Sequence, residues 1–338
     1  MHSQLLNKDL EWEKNSNLNV GVELALFDFF RGEVDVFNRV SSNLLFKAPR
    51  PQSTGIEYMW QNIGTMRNTG LELTLGFDIF KKSDFRWSLD LNATFFKNKI
   101  TKMPKDSDGN PQEIINGTKK LSEGHSIYDF WLREYAGVDT QDGSALYYKD
   151  IEDENGNVTG RETTKDQNAA SYYYMGDAIP DLYGGFTNSF SYKGFDLSIF
   201  FSYQIGGKMY DSNYAGLMHP GSFGTHWSTD IRDRWQNPGD VTNVPRLQNN
   251  YTAASAASSR WLTNASYLAL KNVTFSYTLP KSIQKKLDMK NCKVFLTGDN
   301  LFLLSKRKGM DPQQSFNGTS DYTYVPNRVV SLGINVTF

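Results

Sequence analysis

The sequence predicts an all-β chain, an antiparallel up-and-down transmembrane β-barrel present in part. Three observations predict it: long runs that alternate apolar and polar side chains, links that are short and long by turns, and aromatic residues placed at strand ends. About eleven alternating segments recur, each roughly 9–13 residues long where soluble strands cluster near 5–6, and bilayer-crossing strands need about 9–11.

The first segment, near Leu18–Asp28, sets Val20, Val22, Leu24 and Leu26 on one face, and the turn Phe29–Gly32 leads into Glu33–Phe46. The third, Asn68–Phe80, turns Leu71, Leu73, Leu75, Phe77 and Ile79 outward against Glu72, Thr74, Gly76 and Asp78. After Lys81–Asp84 the fourth sets Trp87, Leu89, Leu91, Ala93 and Phe95 against Arg86, Ser88, Asp90, Asn92 and Thr94. Ser126–Val138 and Ala145–Lys149 alternate less regularly and stand as the fifth and sixth. Asp181–Tyr192 and Phe195–Ile205 form a hairpin around Lys193 and Gly194. Tyr267–Leu279, Cys292–Leu303 and Asn327–Phe338 complete the set, the last with Val330, Leu332, Ile334, Val336 and Phe338 on one face.

The links sort into two kinds. Phe29–Gly32, Lys81–Asp84, Val138–Ser144, Lys193–Gly194 and Pro280–Asn291 are short; Lys47–Arg67, Ile100–His125, Asp150–Pro180, Gly206–Ser266 and Ser305–Pro326 are long. They alternate throughout, as in a barrel with tight turns on the periplasmic side and long loops outside, and this sorting puts the C-terminus in the periplasm. Phe85 and Trp87 beside one short link, Tyr277 beside another and the terminal Phe338 suit an interfacial aromatic girdle. The lumenal face would then carry Glu72, Asp78, Arg86, Asp90 and Asn92.

Composition excludes much. Net charge is −1, which leaves no footprint for nucleic acid. The single cysteine, Cys292, excludes a disulfide framework and a cysteine-rich zinc site. No run is apolar enough for a membrane helix, and mean hydropathy is −0.53, a value that alternation produces even in membrane barrels. The N-terminus has no signal-peptide pattern. His2, His125, His219 and His226 lack HExxH spacing, and GxSxG, GxGxxG and a complete Walker motif are missing, so no enzyme and no cofactor is expected. Lys105–Asn110 and Asp150–Asn157 mix Asp, Asn and Gly as calcium loops do, but both fail the EF-hand pattern at its first position, and solvated acidic turns are the expected reading.

The stretches Met66–Ile100, Glu123–Tyr148 (EGHSIYDFWLREYAGVDTQDGSALYY), Met175–Asp211 and ASYLALKNVTFSYTLP followed by VFLTGDNLF resemble the SusC/RagA family of TonB-linked outer-membrane transporters. The resemblance covers most of Asp9–Phe338. It implies a barrel of about 22 strands with an N-terminal plug, import energised through TonB, and a SusD-like surface lipoprotein that helps capture oligosaccharides or peptides. It also implies that this chain is the C-terminal part of the barrel, a fragment without plug, TonB box or first strands. The terminal run Leu332, Ile334, Val336 and Phe338 looks like the signal read by the outer-membrane assembly machinery. Loop aromatics are the expected ligand or partner contacts, because sugar rings stack on flat apolar faces: Tyr172, Tyr173, Tyr174, Trp227, Trp235 and Trp261. Packing of the loops on one another would use the same residues. A secreted β-rich carbohydrate-binding or hydrolytic domain, and a barrel adhesin or passive porin, are the alternatives, separable by detergent dependence and by an upstream plug.

Overall fold

The computed structural model describes residues 4–49, 52–56, 58–62, 64–81, 84–105, 109–320 and 322–338. Nine strands form one antiparallel sheet in strict chain order: β1 Lys14–Leu26, β2 Phe30–Ser42, β3 Thr65–Phe80, β4 Phe85–Lys102, β5 Leu182–Tyr192, β6 Phe195–Ile205, β7 Tyr267–Thr278, β8 Asn291–Ser305 and β9 Val329–Thr337. The all-β, up-and-down class holds, and the sheet is open, with β1 and β9 at its edges.

Register keeps the apolar residues in line from strand to strand. Val22 faces Val34, which faces Leu73, which faces Ala93. Leu75, Leu91, Phe186 and Phe201 follow one another across β3 to β6. On β7 to β9 the row runs Phe275, Leu296, Leu332. A slip of one residue in a strand would put polar or charged side chains into this row, so the apolar face fixes the pairing. A bulge sets Lys271 against both Asn300, in the left-handed region at φ 51°, and Leu301, and shifts the long-loop ends of β7 and β8 by one residue. Leu268 and Leu270 thereby stay aligned with Leu304 and Phe302.

The other face is polar and cross-linked. Arg31 lies 3.5 Å from Asp90 and 4.0 Å from Asp78. Asn272 donates to Asp299 at 2.7 Å and to Thr297 at 3.1 Å, and Lys293 reaches Asp196 at 3.3 Å. Asn92 accepts the Gly185 N–H at 3.0 Å, so this residue of the polar face serves the wall itself.

At the short-link end of the apolar face the aromatics touch. Trp87 stacks on Phe190 at 5.8 Å, and Phe195 on Tyr277 at 4.3 Å; Phe80 bridges Phe85 and Trp87. The Lys193–Gly194 turn has both residues at positive φ, the geometry that lets a two-residue link follow the twist of its strands. The β7–β8 link carries a short helix, Lys281–Lys286.

Two of the eleven expected segments lie outside this sheet, which corrects the strand number to nine among the described residues. Ser126–Val138 breaks into Asp129–Arg133 and Tyr135–Val138, and Ala145–Lys149 is the start of Ala145–Glu152. β4 pairs directly with β5, so the expected links around these segments merge into one long excursion between them. The reason is what covers their apolar side chains: Phe130, Leu132, Ala145 and Tyr147 are sealed inside the loops at 0–1% exposure. Because the segments leave as a pair, the sides assigned to all other links are unchanged.

Candidate functional site

The long connections after β4, β6 and β8 emerge at one end of the sheet and build a packed body of their own. The excursion between β4 and β5 supplies a four-stranded sheet, ordered Tyr172–Asp177, Asp129–Arg133, Lys119–Leu121 and Ile114–Asn116. It also supplies a three-stranded sheet of Tyr135–Val138, Ala145–Glu152 and Val158–Thr164. Its core joins Phe130, Leu132 and Ala178 to Tyr210, Met218 and Trp261 from the β6–β7 connection. The last connection is stitched on: the Tyr210 N–H donates to the Gly318 carbonyl at 2.7 Å, and the Ser320 N–H to the Tyr210 carbonyl at 2.9 Å. Gly318 has φ +75°, and a Cβ there would meet the Ala178 methyl at 2.3 Å, so the three connections meet where only glycine fits. Asp211, almost fully buried, caps the helix Ser212–Leu217 and holds Arg307 at 2.9 Å and the Ser320 hydroxyl at 3.1 Å.

On the four-stranded sheet, alternation separates two faces. Phe130 and Leu132 go to the core; Trp131, between them, goes to the opposite face beside Tyr174. There the rings form a row. Tyr172 stacks on Trp131 at 6.2 Å, Trp131 meets Tyr174 edge-on at 4.8 Å, and Tyr174 lies flat on His125 at 3.5 Å with 7° between planes. His125 is oriented by Asp129 through a 3.0 Å contact at Nδ1. Lys120 sits 4.0 Å over Trp131 and 2.7 Å from Glu113, and Arg133 lies 4.6 Å from the Tyr172 ring. Flat apolar faces flanked by donors and acceptors can take a sugar ring or an aromatic side chain by stacking, with polar groups to fix its orientation.

The six expected contact residues separate in space. Tyr172 and Tyr174 join the row, and Tyr172 is exposed. Tyr173 points the other way, with its hydroxyl on Asp150 at 2.5 Å and its ring under Arg161 at 4.4 Å. Trp227 stacks on His219 at 5.1 Å, donates to the His219 carbonyl and keeps one side in solvent. Trp235 donates to the Thr140 carbonyl at 3.0 Å and rests over Gly143. Trp261 has no exposed surface and donates to the Ala256 carbonyl, so it is a packing residue and the expectation of ligand contact is corrected there. Trp131, Lys120 and His125 were not singled out by the sequence reading, although the alternation of Asp129–Arg133 carried the signal for Trp131. The acidic turn at Asp153 spends its carboxylate on the N–H groups of Asn155 and Asn157 and on the Asn157 amide. Asp106–Asp108 of the other acidic stretch lie outside the described residues. Behind the row, Lys119 lies 3.1 Å over Phe130 and donates to the Tyr128 carbonyl at 2.6 Å; burial pulls its ammonium down to about 7 against the pull of Asp177 and Asp129.

On the outward face of β9 the terminal run carries Leu332, Ile334 and Val336, opposite Leu296, Val294 and Cys292, and Phe338 follows the strand with its ring exposed.

The family described as "TonB dependent receptor-like, beta-barrel" matches residues 3–301. TonB-dependent receptor P3 of Formosa agariphila is 29% identical over 98% of the chain and 35% of its own length. TonB-dependent receptor SusC of Bacteroides thetaiotaomicron is 25% identical over 98% of the chain and 32% of its own length. Among solved structures, one of the RagAB peptide importer in its closed-closed state superposes with a TM-score of 0.85 at 27% identity, covering 98% of this chain and 36% of that one. The chain spans about a third of the length of the curated relatives it matches.

Proposed function

Given that the chain belongs to the TonB-dependent receptor β-barrel family, we propose that it forms the C-terminal barrel wall and external loops of an outer-membrane importer of the SusC/RagA type. In this reading the plug, the TonB-contacting segment and the remaining strands belong to sequence outside this chain. The short links and the C-terminus face the periplasm, and the long loops face outward beneath a SusD-like surface lipoprotein. The observation that carries the reading is the pairing of one continuous outward apolar face with loops gathered at one end. A soluble sheet would leave Val20, Val22, Leu296 and Leu332, at 47–74% exposure, in water.

The row Tyr172, Trp131, Tyr174 and His125, with Trp227 beside a neighbouring loop, is the proposed contact surface for an oligosaccharide. Stacking faces flanked by Lys120, Glu113 and Arg133 favour sugars; a structural relative's title names a peptide importer, and a peptide is the second reading. Uptake of a labelled oligosaccharide and of a labelled peptide by cells carrying the complete receptor tests both. Trp131→Ala should lower uptake of the true cargo about five-fold or more, as expected when roughly 1–3 kcal/mol of stacking is lost per ring. Unchanged uptake of both cargos would remove the aromatic row from the function.

A further inference from the structure

On the described strands, every carboxylate from Glu23 on β1 to Asp299 on β8 alternates onto the polar face, and none shares the outward face. Cations do not follow that rule. On β3 and β4 the outward rows that begin with Leu71 and Phe95 continue toward the long-loop end as Thr69 and Arg67, and as Lys97 and Lys99. Arg67 is directly opposite Lys99, and Lys97 is one outward position along β4, opposite Thr69. All three are exposed, and none forms an ion pair or side-chain hydrogen bond with a described residue. Like charges set directly across a ladder repel, so the arrangement costs stability unless an anion lies between them. Immediately beside Lys97, above the last β4–β5 pair at Thr94 and Tyr183, the chain entering β5 splays from β4. A cavity of about 630 Å³ opens there, lined by Leu71, Phe95, Ile179 and Pro180 and, on the side of the chain entering β5, by Asp177 and Asp181.

We propose that Arg67, Lys97 and Lys99 form a binding site for the phosphoryl groups of a glycolipid in the outer leaflet, with the cavity beside Lys97, where Asp177 and Asp181 can accept hydroxyls, taking part of its sugar moiety. The site is continuous with the apolar face that the acyl chains already cover, and it lies just beyond that face at the level of the headgroups. Three cations there meet anionic headgroups, for which basic side chains near a charged membrane surface each contribute favourably. The opposite rim carries the touching aromatics around Trp87 and Tyr277, with its lysines on the link helix Lys281–Lys286 outside the strands. The proposal rests on the orientation given above, with long loops outside.

The test uses the complete receptor, folded and purified in mild detergent, then placed in nanodiscs holding a phosphorylated disaccharide lipid or the same lipid after phosphatase treatment. Heat-modifiable migration confirms that each variant is folded. The R67Q/K97Q/K99Q variant should retain roughly ten-fold less phosphorylated lipid than the parent, and the parent should lose the same preference with the dephosphorylated lipid. Equal retention by variant and parent would overturn the site. So would an equal loss from K281Q/K285Q/K286Q on the short-link helix, or displacement of the lipid by inorganic phosphate at equal concentration. A membrane-impermeant maleimide on intact cells separates failure of the orientation from failure of the site. Phe223→Cys in the long loop should label and Lys193→Cys in the short turn should not; the reverse pattern sinks the orientation, whatever the lipid measurement gives.

Discussion

Lys119 shows how one partly buried side chain sets the behaviour of the loop body. Its folded pKa, lowered to about 7 by burial, lies below the unfolded value of 10.5. The unfolded chain therefore binds more protons between those values, and stability rises with pH across that window, its penalty being fully present below about 7. Amide exchange in Asp129–Arg133, corrected for its intrinsic pH dependence, should slow from pH 7 to pH 9. Lys119→Met should abolish that slope while leaving the fold intact, since the methionine still packs on Phe130. Gly143→Ala should act in the opposite sense. Its φ is +72° and a Cβ there would meet the Trp235 ring at 2.4 Å, so the substitution should cost about 1 kcal/mol or more and shift Trp235 emission to the red.

A strand is legible in sequence only as far as alternation goes. Leu71 to Ile79 and Trp87 to Phe95 were read correctly because lipid covers every second residue over a length that only a membrane asks for. Phe130, Leu132 and Tyr147 alternate in the same way, yet neighbouring loops cover them instead. Period two reports that a face is dry and not what dries it, and here the short apolar runs and the glycine at Gly137, which the structure sets at φ 108°, were the available warning. The row built on Trp131 was illegible for a related reason: His125 and Tyr174 lie far apart in sequence and meet only when Asp129–Arg133 pairs with Tyr172–Asp177 inside one excursion. At this scale the two faces of one strand should respond differently. Leu91→Arg, outward at the middle of β4, should cost about 2–4 kcal/mol of folding into liposomes. Asn92→Arg, one residue on and facing the polar side, should cost chiefly its bond to Gly185. Urea titration of the two liposome-inserted variants distinguishes these outcomes. Removing Phe338 should reduce the fraction of receptor reaching the heat-modifiable form in cells while leaving folding into liposomes nearly unchanged. Equal loss in both would make that ring a stability element.

For the whole molecule, the number nine has a consequence. Neighbouring strands run in opposite senses, so an odd sheet has two outer strands that point the same way. A second copy turned about the barrel axis would bring β9 beside β1 with both running toward the short-link end, and the ladder between them would be parallel. Whatever closes this wall with an unbroken antiparallel pattern must itself be odd in strand number, and in a ring of about 22 its share is about 13. Coexpression of the chain with partner pieces of even and odd strand number should give a closed, heat-modifiable ring only for the odd ones.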